Sequence, residues 1–204
     1  NVLFVEFADH IFVMEAPGGD NVSRQAIAAI KRTIPNKPIK YIAVTHHHDD
    51  HAGGIRTYVA EGATVIALPN EKPFFEKVVT SKFVINPDSL ARNPKPLKIE
   101  MISDGKRLLT DGTVSVELHD IGPGPHTEQM LVAYIPSIKA VYQGDLINRP
   151  SNGDPPIAND TSAHFLKWID ASKLSIDKTI PVHGTVTTMD EFRKAVADLS
   201  VAGN

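Results

Sequence analysis

Four metal-capable donors crowd into six residues. His46, His48, Asp50 and His51 lie in the run His46-His47-His48-Asp49-Asp50-His51, an H-x-H-x-D-H pattern. Imidazole nitrogens beside carboxylate oxygens are the ligand set of a borderline divalent ion, zinc first, with iron or manganese as alternatives. The run follows the apolar stretch Tyr41-Ile42-Ala43-Val44 and precedes Gly53-Gly54. Its donors are therefore expected on a loop at the end of a buried strand, where a rigid sheet can aim them. His47, between two ligand positions, is expected to point away.

Three more donors share that kind of context. His126 sits in Gly122-Pro123-Gly124-Pro125-His126-Thr127, Asp145 ends Val141-Tyr142-Gln143-Gly144-Asp145, and His183 ends Ile180-Pro181-Val182-His183. Each follows an apolar run at a strand-to-loop junction. Strand ends on a common edge would bring the donors together.

This ordered set resembles the metallo-β-lactamase fold superfamily, which uses H-x-H-x-D-H, then a later His, an Asp and a final His. The resemblance covers nearly the whole chain. It implies an α/β (α+β) fold, a four-layer αββα sandwich of two mixed sheets with outer helices, as one domain over residues 1–204 that lacks the first strands of that fold. It also implies two metals, with zinc expected. His46, His48 and His126 would hold the first, Asp50, His51 and His183 the second, and Asp145 would bridge them. The implied activity is that of a binuclear metal-dependent hydrolase, in which metal-bound hydroxide attacks the carbonyl of a small ester, lactone or amide. Asp50 would orient the attacking group and pass on a proton.

Within the superfamily, the flavin-linked di-iron members carry Glu where His48 stands and need a further domain. Dedicated β-lactamases usually place Cys or Ser at the position of Asp145, which leaves weak promiscuous lactamase activity as an alternative. A mononuclear iron enzyme of the persulfide dioxygenase kind is a second alternative. A binding protein with a vestigial site is a third, but no ligand position is lost. The other histidines read blandly: His10 in a surface hairpin turn, His119 on the polar face of a strand, and His164 on a helix surface.

Positioning these donors requires strands over 2–7, 11–16, 39–44, 64–68, 97–103, 114–121, 130–135, 140–146 and 179–182. Helices are expected from Asn21 to Pro35, over 55–60 with Gly62 as the stop, over 71–79, from a Thr161-Ser162 cap to Leu174, and over 189–199. Proline-rich stretches at 86–96 and 149–160 read as loops that would set specificity.

Composition bounds the rest. A chain of 204 residues with 42% hydrophobic and 22% charged content is ordinary for a globular protein. A formal charge of −3 offers no basic footprint, so a small-molecule substrate is expected and neither nucleic acid nor membrane is. Cysteine is absent, which removes disulfides and thiolate ligands. The chain opens Asn1-Val2-Leu3 without Met or a charged-then-apolar leader, as a processed or truncated product would. Its compartment, cytoplasmic or periplasmic/secreted, stays open, and missing first strands would leave a sheet edge for a second copy to cover.

Overall fold

The computed structural model describes residues 1–202, with side chains to Leu199. Its contacts divide the chain into two compact units, Val2–Asp104 and the segment from Gly105 onward, which also takes Asn1.

The N-terminal unit runs β1 (Leu3–Glu6), β2 (Ile11–Met14), α1 (Asp20–Thr33), β3 (Ile39–Ala43), α2 (Asp49–Ala52), α3 (Ile55–Glu61), β4 (Thr64–Ala67), α4 (Lys72–Thr80), α5 (Ser89–Arg92) and β5 (Lys98–Met101). Its five strands form one sheet in the order β1-β2-β3-β4-β5. β1 and β2 make an antiparallel hairpin, and β2 through β5 pair in parallel. Parallel neighbours need crossovers, which the helices between these strands supply. β2 is buried along its whole length, as a central parallel strand must be when both faces are covered. The amphipathic α1 turns Ile27 and Ile30 into the same core as Ile42, Ile55, Val59 and Phe75.

Two readings change here. The stretch 86–96 is not only loop: Asp88 accepts the Ala91 N–H at 2.8 Å and caps α5, whose Leu90 is buried. A good N-cap outweighs the surrounding prolines over one turn. His10 is not a surface residue: its ring stacks on Phe7 at 4.9 Å and meets Tyr41 edge-on at 5.5 Å.

The C-terminal unit runs β6 (Lys106–Thr110), β7 (Ser115–Asp120), β8 (Leu131–Ile135), β9 (Ala140–Gln143), α6 (Asp160–Ser172), β10 (Lys178–Pro181), β11 (Thr187–Thr188) and α7 (Met189–Ala202). Its six strands lie in the order β11-β10-β9-β8-β7-β6. Only β9 and β10 pair in parallel; the other neighbours are antiparallel. β6 escapes the sequence reading because only Leu109 of its five residues is buried, as on a charged edge strand. α6 is capped two to three residues earlier than expected, at Asn159. Asn159 accepts from the Ser162 N–H at 3.1 Å, and Ser162 Oγ accepts from the Asn159 N–H at 3.2 Å, a reciprocal cap. Phe165 and Phe192 carry α6 and α7 into a core with Val132, Val141 and Leu146. Both sheets are mixed and both units carry helices, so the α/β class expected from the sequence is the one observed.

Candidate metal centre

In the N-terminal unit the donors follow β3. The chain leaves Ala43, passes Val44 and Thr45, and delivers His46 and His48 before α2 begins at Asp49. This is the carboxyl end of a parallel strand, where open α/β sheets place their ligands. His46 and His51 are fully buried, whereas His47 is exposed and rests against Phe74 at 5.8 Å, pointed away as expected. His46 Nε2 lies 2.9 Å from His48 Nδ1, and His51 Nε2 lies 3.4 Å from Asp50 Oδ2.

The buried rings are held from behind. Thr45 Oγ1 stands 3.1 Å from His46 Nδ1 and 3.2 Å from His51 Nδ1. Glu15, fully buried at the end of β2, spends one oxygen on the Thr45 N–H at 2.9 Å and the other on His51 Nδ1 at 3.1 Å. A carboxylate on Nδ1 fixes the tautomer and aims the Nε2 lone pair forward, the usual support of a metal-bound imidazole. Glu15 does this from a φ of +95°, a conformation that disfavours side chains and that packing must sustain. Burial, and after it the Glu15 charge, push the Tyr58 phenol well above its ordinary pKa, so this neighbour stays neutral.

The Gly53-Gly54 pair has a packing reason. A Cβ on Gly53 would lie 2.6 Å from the Gly18 carbonyl oxygen, and one on Gly54 would lie 1.9 Å from Ser23 Oγ. Glycine lets the junction of α2 and α3 press against the start of α1. The hydrogen bonds from Gly54 N–H to Ala16 O and from Ala16 N–H to His51 O then tie the donor loop to the residue after Glu15.

In the C-terminal unit the three donors also share one edge. β7, β9 and β10 run in the same direction, because β7 and β9 are both antiparallel to β8 and β9 is parallel to β10. In the register, Pro181 stands opposite Gln143, so Asp145 and His183 each lie two residues beyond matched positions on neighbouring strands. Asp145 then faces both histidines: Oδ2 is 3.3 Å from His126 Nε2, and Oδ1 is 3.6 Å from His183 Nε2.

Gln143, fully buried, holds the Asp145 loop, accepting from Leu146 N–H at 2.8 Å and donating to Ile147 O at 2.8 Å. Gly184, at φ +90°, lets the His183 turn close on Arg149, whose carbonyl oxygen would lie 2.1 Å from a Cβ there. His164 departs from its expected place on a helix surface. A Cβ on Gly124 would meet its ring at 3.0 Å, so the side-chain-free glycine lets the imidazole lodge beneath the turn that carries His126.

The donor set fits a divalent metal. Ligands about 2.0–2.1 Å from a tetrahedral ion stand about 3.3 Å from one another. The paired donor atoms within the units are 2.9, 3.4, 3.3 and 3.6 Å apart, and nitrogens and carboxylate oxygens are the ligand chemistry zinc takes. Each unit brings together its own expected donors: His46, His48, Asp50 and His51 in one, and His126, Asp145 and His183 in the other. Glu15, Thr45 and Gln143, the supports, were missed. Their faint signals were an acid directly after the apolar run of β2 and a glutamine closing the buried β9.

Comparison with known proteins bears on both units. The family model described as "Metallo-beta-lactamase superfamily" matches residues 16–196. A curated relative, a linear primary-alkylsulfatase from Pseudomonas sp., is 23% identical over 111 residues, which are 53% of this chain. The match spans about a fifth of that relative's length, 21%. Among solved structures, the metallo-beta-lactamase FIM-1 from Pseudomonas aeruginosa in its mono-zinc form is 22% identical, with a TM-score of 0.69 over 99% of this chain and 83% of that one. A metallo-beta-lactamase from Pontibacter korlensis is 18% identical, with a TM-score of 0.69 over 98% of this chain and 86% of its own. One from Hirschia baltica is 21% identical, with a TM-score of 0.65 over 96% and 84%. At these identities the likeness is one of fold.

Proposed function

Because this chain belongs to the metallo-beta-lactamase superfamily, we propose that it is a binuclear metal-dependent hydrolase acting on the carbonyl of a small ester, lactone or amide. In this reading His46, His48 and His126 hold one ion, Asp50, His51 and His183 hold the other, and Asp145 serves both. The ions, zinc first with iron or manganese as substitutes, would supply an activated water and a Lewis acid for the developing oxyanion.

The observation that carries the reading is the division of Asp145, one oxygen toward His126 and the other toward His183. A carboxylate so split is suited to two cations, whereas a mononuclear iron site would leave His183 without a role. The chain's own residues do the rest. Glu15 and Thr45 keep His46 and His51 in the tautomer with Nε2 available. Asp50, more than half exposed beside the buried His51, would take a proton from the attacking water and return it to the leaving group.

A second reading is favoured by one finding, the match to a linear primary-alkylsulfatase, which makes sulfate esters a rival substrate class. Metal counting joined to a panel of chromogenic esters, lactones, amides, sulfate esters and β-lactams separates the two. Two ions per chain with turnover of a carboxylic ester, lactone or amide, reduced about a hundredfold or more in Asp50→Asn, is the expected result. One ion per chain, or Asp50→Asn with unchanged rates, would overturn the proposal, and preference for a sulfate ester would replace it with its rival.

A further inference from the structure

The formal charge of −3 conceals a segregation within the N-terminal unit. Residues 72–98 hold six basic residues against two acidic ones, leaving fifteen basic against twenty-two acidic elsewhere in the chain. Both acids of the segment are engaged, Glu76 with Lys72 and Asp88 with the buried Arg56. Among the described residues Lys82 and Lys95 have no carboxylate partner.

Between these lysines the chain does something a folded core avoids. After α4 it runs Lys82-Phe83-Val84-Ile85-Asn86-Pro87, and the exposure of the three apolar side chains climbs from 44% to 78% to 89% toward the tip. The tip is not loose at its base. The Arg56 guanidinium lies 4.4 Å from the Phe83 ring centre and donates to the carbonyls of Val78, Val79 and Ser81 at 2.9, 2.7 and 2.9 Å. Beside the tip lies an open groove of about 450 Å³ lined by Val79, Lys82, Phe83, Val84 and Lys95. A second groove of about 430 Å³ continues from it through Val79 and Lys95 to Lys72 and Leu97. Lysines therefore flank apolar surface along one continuous face.

We propose that the Phe83–Ile85 tip and the lysines around it dock the protein on an anionic lipid surface. Three side chains offer only a few hundred Å², well short of what a specific protein interface buries. A protein partner would also need a pocket shaped to a projecting tip, whereas a bilayer interface takes one up by yielding. The lysines select the sign of the surface, each adding about fivefold in binding near anionic headgroups. A tip of three apolar side chains is a peripheral attachment; no helix among the described residues is long and apolar enough to cross a membrane. The sequence expectation of no membrane partner rested on net charge, which averages this face with the acidic remainder.

The test is co-sedimentation with vesicles of phosphatidylcholine alone and of phosphatidylcholine with phosphatidylglycerol, at low and high salt. Binding to the anionic vesicles only, weakened by salt, is expected. Lys82→Glu with Lys95→Glu should lower the partition coefficient at least ~25-fold. Val84→Ser with Ile85→Ser, which leaves Phe83 on Arg56, should lower it about tenfold or more. Circular dichroism checks that both variants are folded. Equal binding to both vesicle types, no binding to either, or binding unchanged in the serine variant would each overturn the proposal. So would a concentration-dependent dimer in sedimentation that the serine variant abolishes, because the tip would then be a contact between copies.

Discussion

Replacing Glu15 probes whether the donor loop is held in a chosen protonation pattern or merely held. The carboxylate makes two buried hydrogen bonds, from the Thr45 N–H at 2.9 Å and with His51 Nδ1 at 3.1 Å. Glu15→Ala leaves the buried Thr45 N–H without its acceptor and His51 Nδ1 with only Thr45 Oγ1, 3.2 Å away. Two bonds to a charged acceptor, each worth about 1.5–3 kcal/mol, set a ceiling of about 6 kcal/mol, and the Thr45 Oγ1 that remains beside His51 Nδ1 lowers the expected loss to about 3–5 kcal/mol. The strain at φ +95° stays, because Ala also carries a Cβ. Glu15→Gln behaves differently. Its carbonyl oxygen can still accept from Thr45, and its NH2 group now donates toward His51 Nδ1. Stability should fall by only about 1–2 kcal/mol.

The glutamine has a second consequence. A donor at Nδ1 favours the tautomer with the proton on Nε2, so the lone pair is no longer presented. Metal affinity should fall about 10- to 100-fold in Glu15→Gln, the usual cost of removing such a support. Urea denaturation of the metal-free variants reads the first effect, and competition with a chromophoric chelator reads the second. Nitrogen chemical shifts of His51 report the tautomer directly. If Glu15→Gln binds metal as tightly as the parent while showing the same small stability loss, Glu15 is only a brace.

Other positions give shorter tests. Gly53→Ala must push α2 away from the Gly18 carbonyl, 2.6 Å from the new Cβ, and should cost about 1–3 kcal/mol in urea unfolding. Arg56→Ala strips a buried partner from Asp88 and the donor from three carbonyls at the end of α4, and should cost about 3–5 kcal/mol by the same measurement. Burial raises the Asp88 pKa, but hydrogen bonds from Arg56 and Ala91 with the Arg56 charge outweigh it and hold the carboxyl below its ordinary value. This contribution is therefore present above the unfolded pKa of about 4 and lost as pH falls through the lower folded value, so the urea midpoint of the parent should drop below pH 4 more steeply than that of Arg56→Ala. Tyr58→Phe removes a buried hydroxyl with no hydrogen-bond partner among the described residues, and should be neutral or raise the thermal midpoint.

The reach of the sequence follows the range of the forces involved. Strand ends were legible wherever an apolar run met a polar donor: β9 is buried at every residue, β3 at its last two, and β10 at Thr179 and Pro181. The hairpin strand β6 was illegible because an edge strand with one buried residue has no hydrophobic period. α5 was hidden because four residues hold no period either, and only the Asp88 cap announces it. Donors were legible because metal binding demands particular atoms whatever the context.

The supports of the site obey another logic. Glu15 lies 36 residues from His51 in sequence and meets it only because β2 and β3 pair in parallel, with Met14 opposite Ala43. Its one local signal, a place directly after the apolar run of β2, does not by itself distinguish this acid from a solvated one. Gln143 does a related job on the other sheet from within its own strand: it ends the buried β9, and its side chain holds the backbone just after Asp145, accepting from Leu146 N–H and donating to Ile147 O. A buried carboxylate and a buried amide are each costly unless satisfied, so their occurrence at two strand ends next to donor loops is itself informative. The rule that emerges is a directional one. In a parallel pair, the residue one step beyond a buried strand is a candidate to orient the loop leaving the next strand, and an acid or amide there is worth testing before the loop's own residues are credited with the geometry.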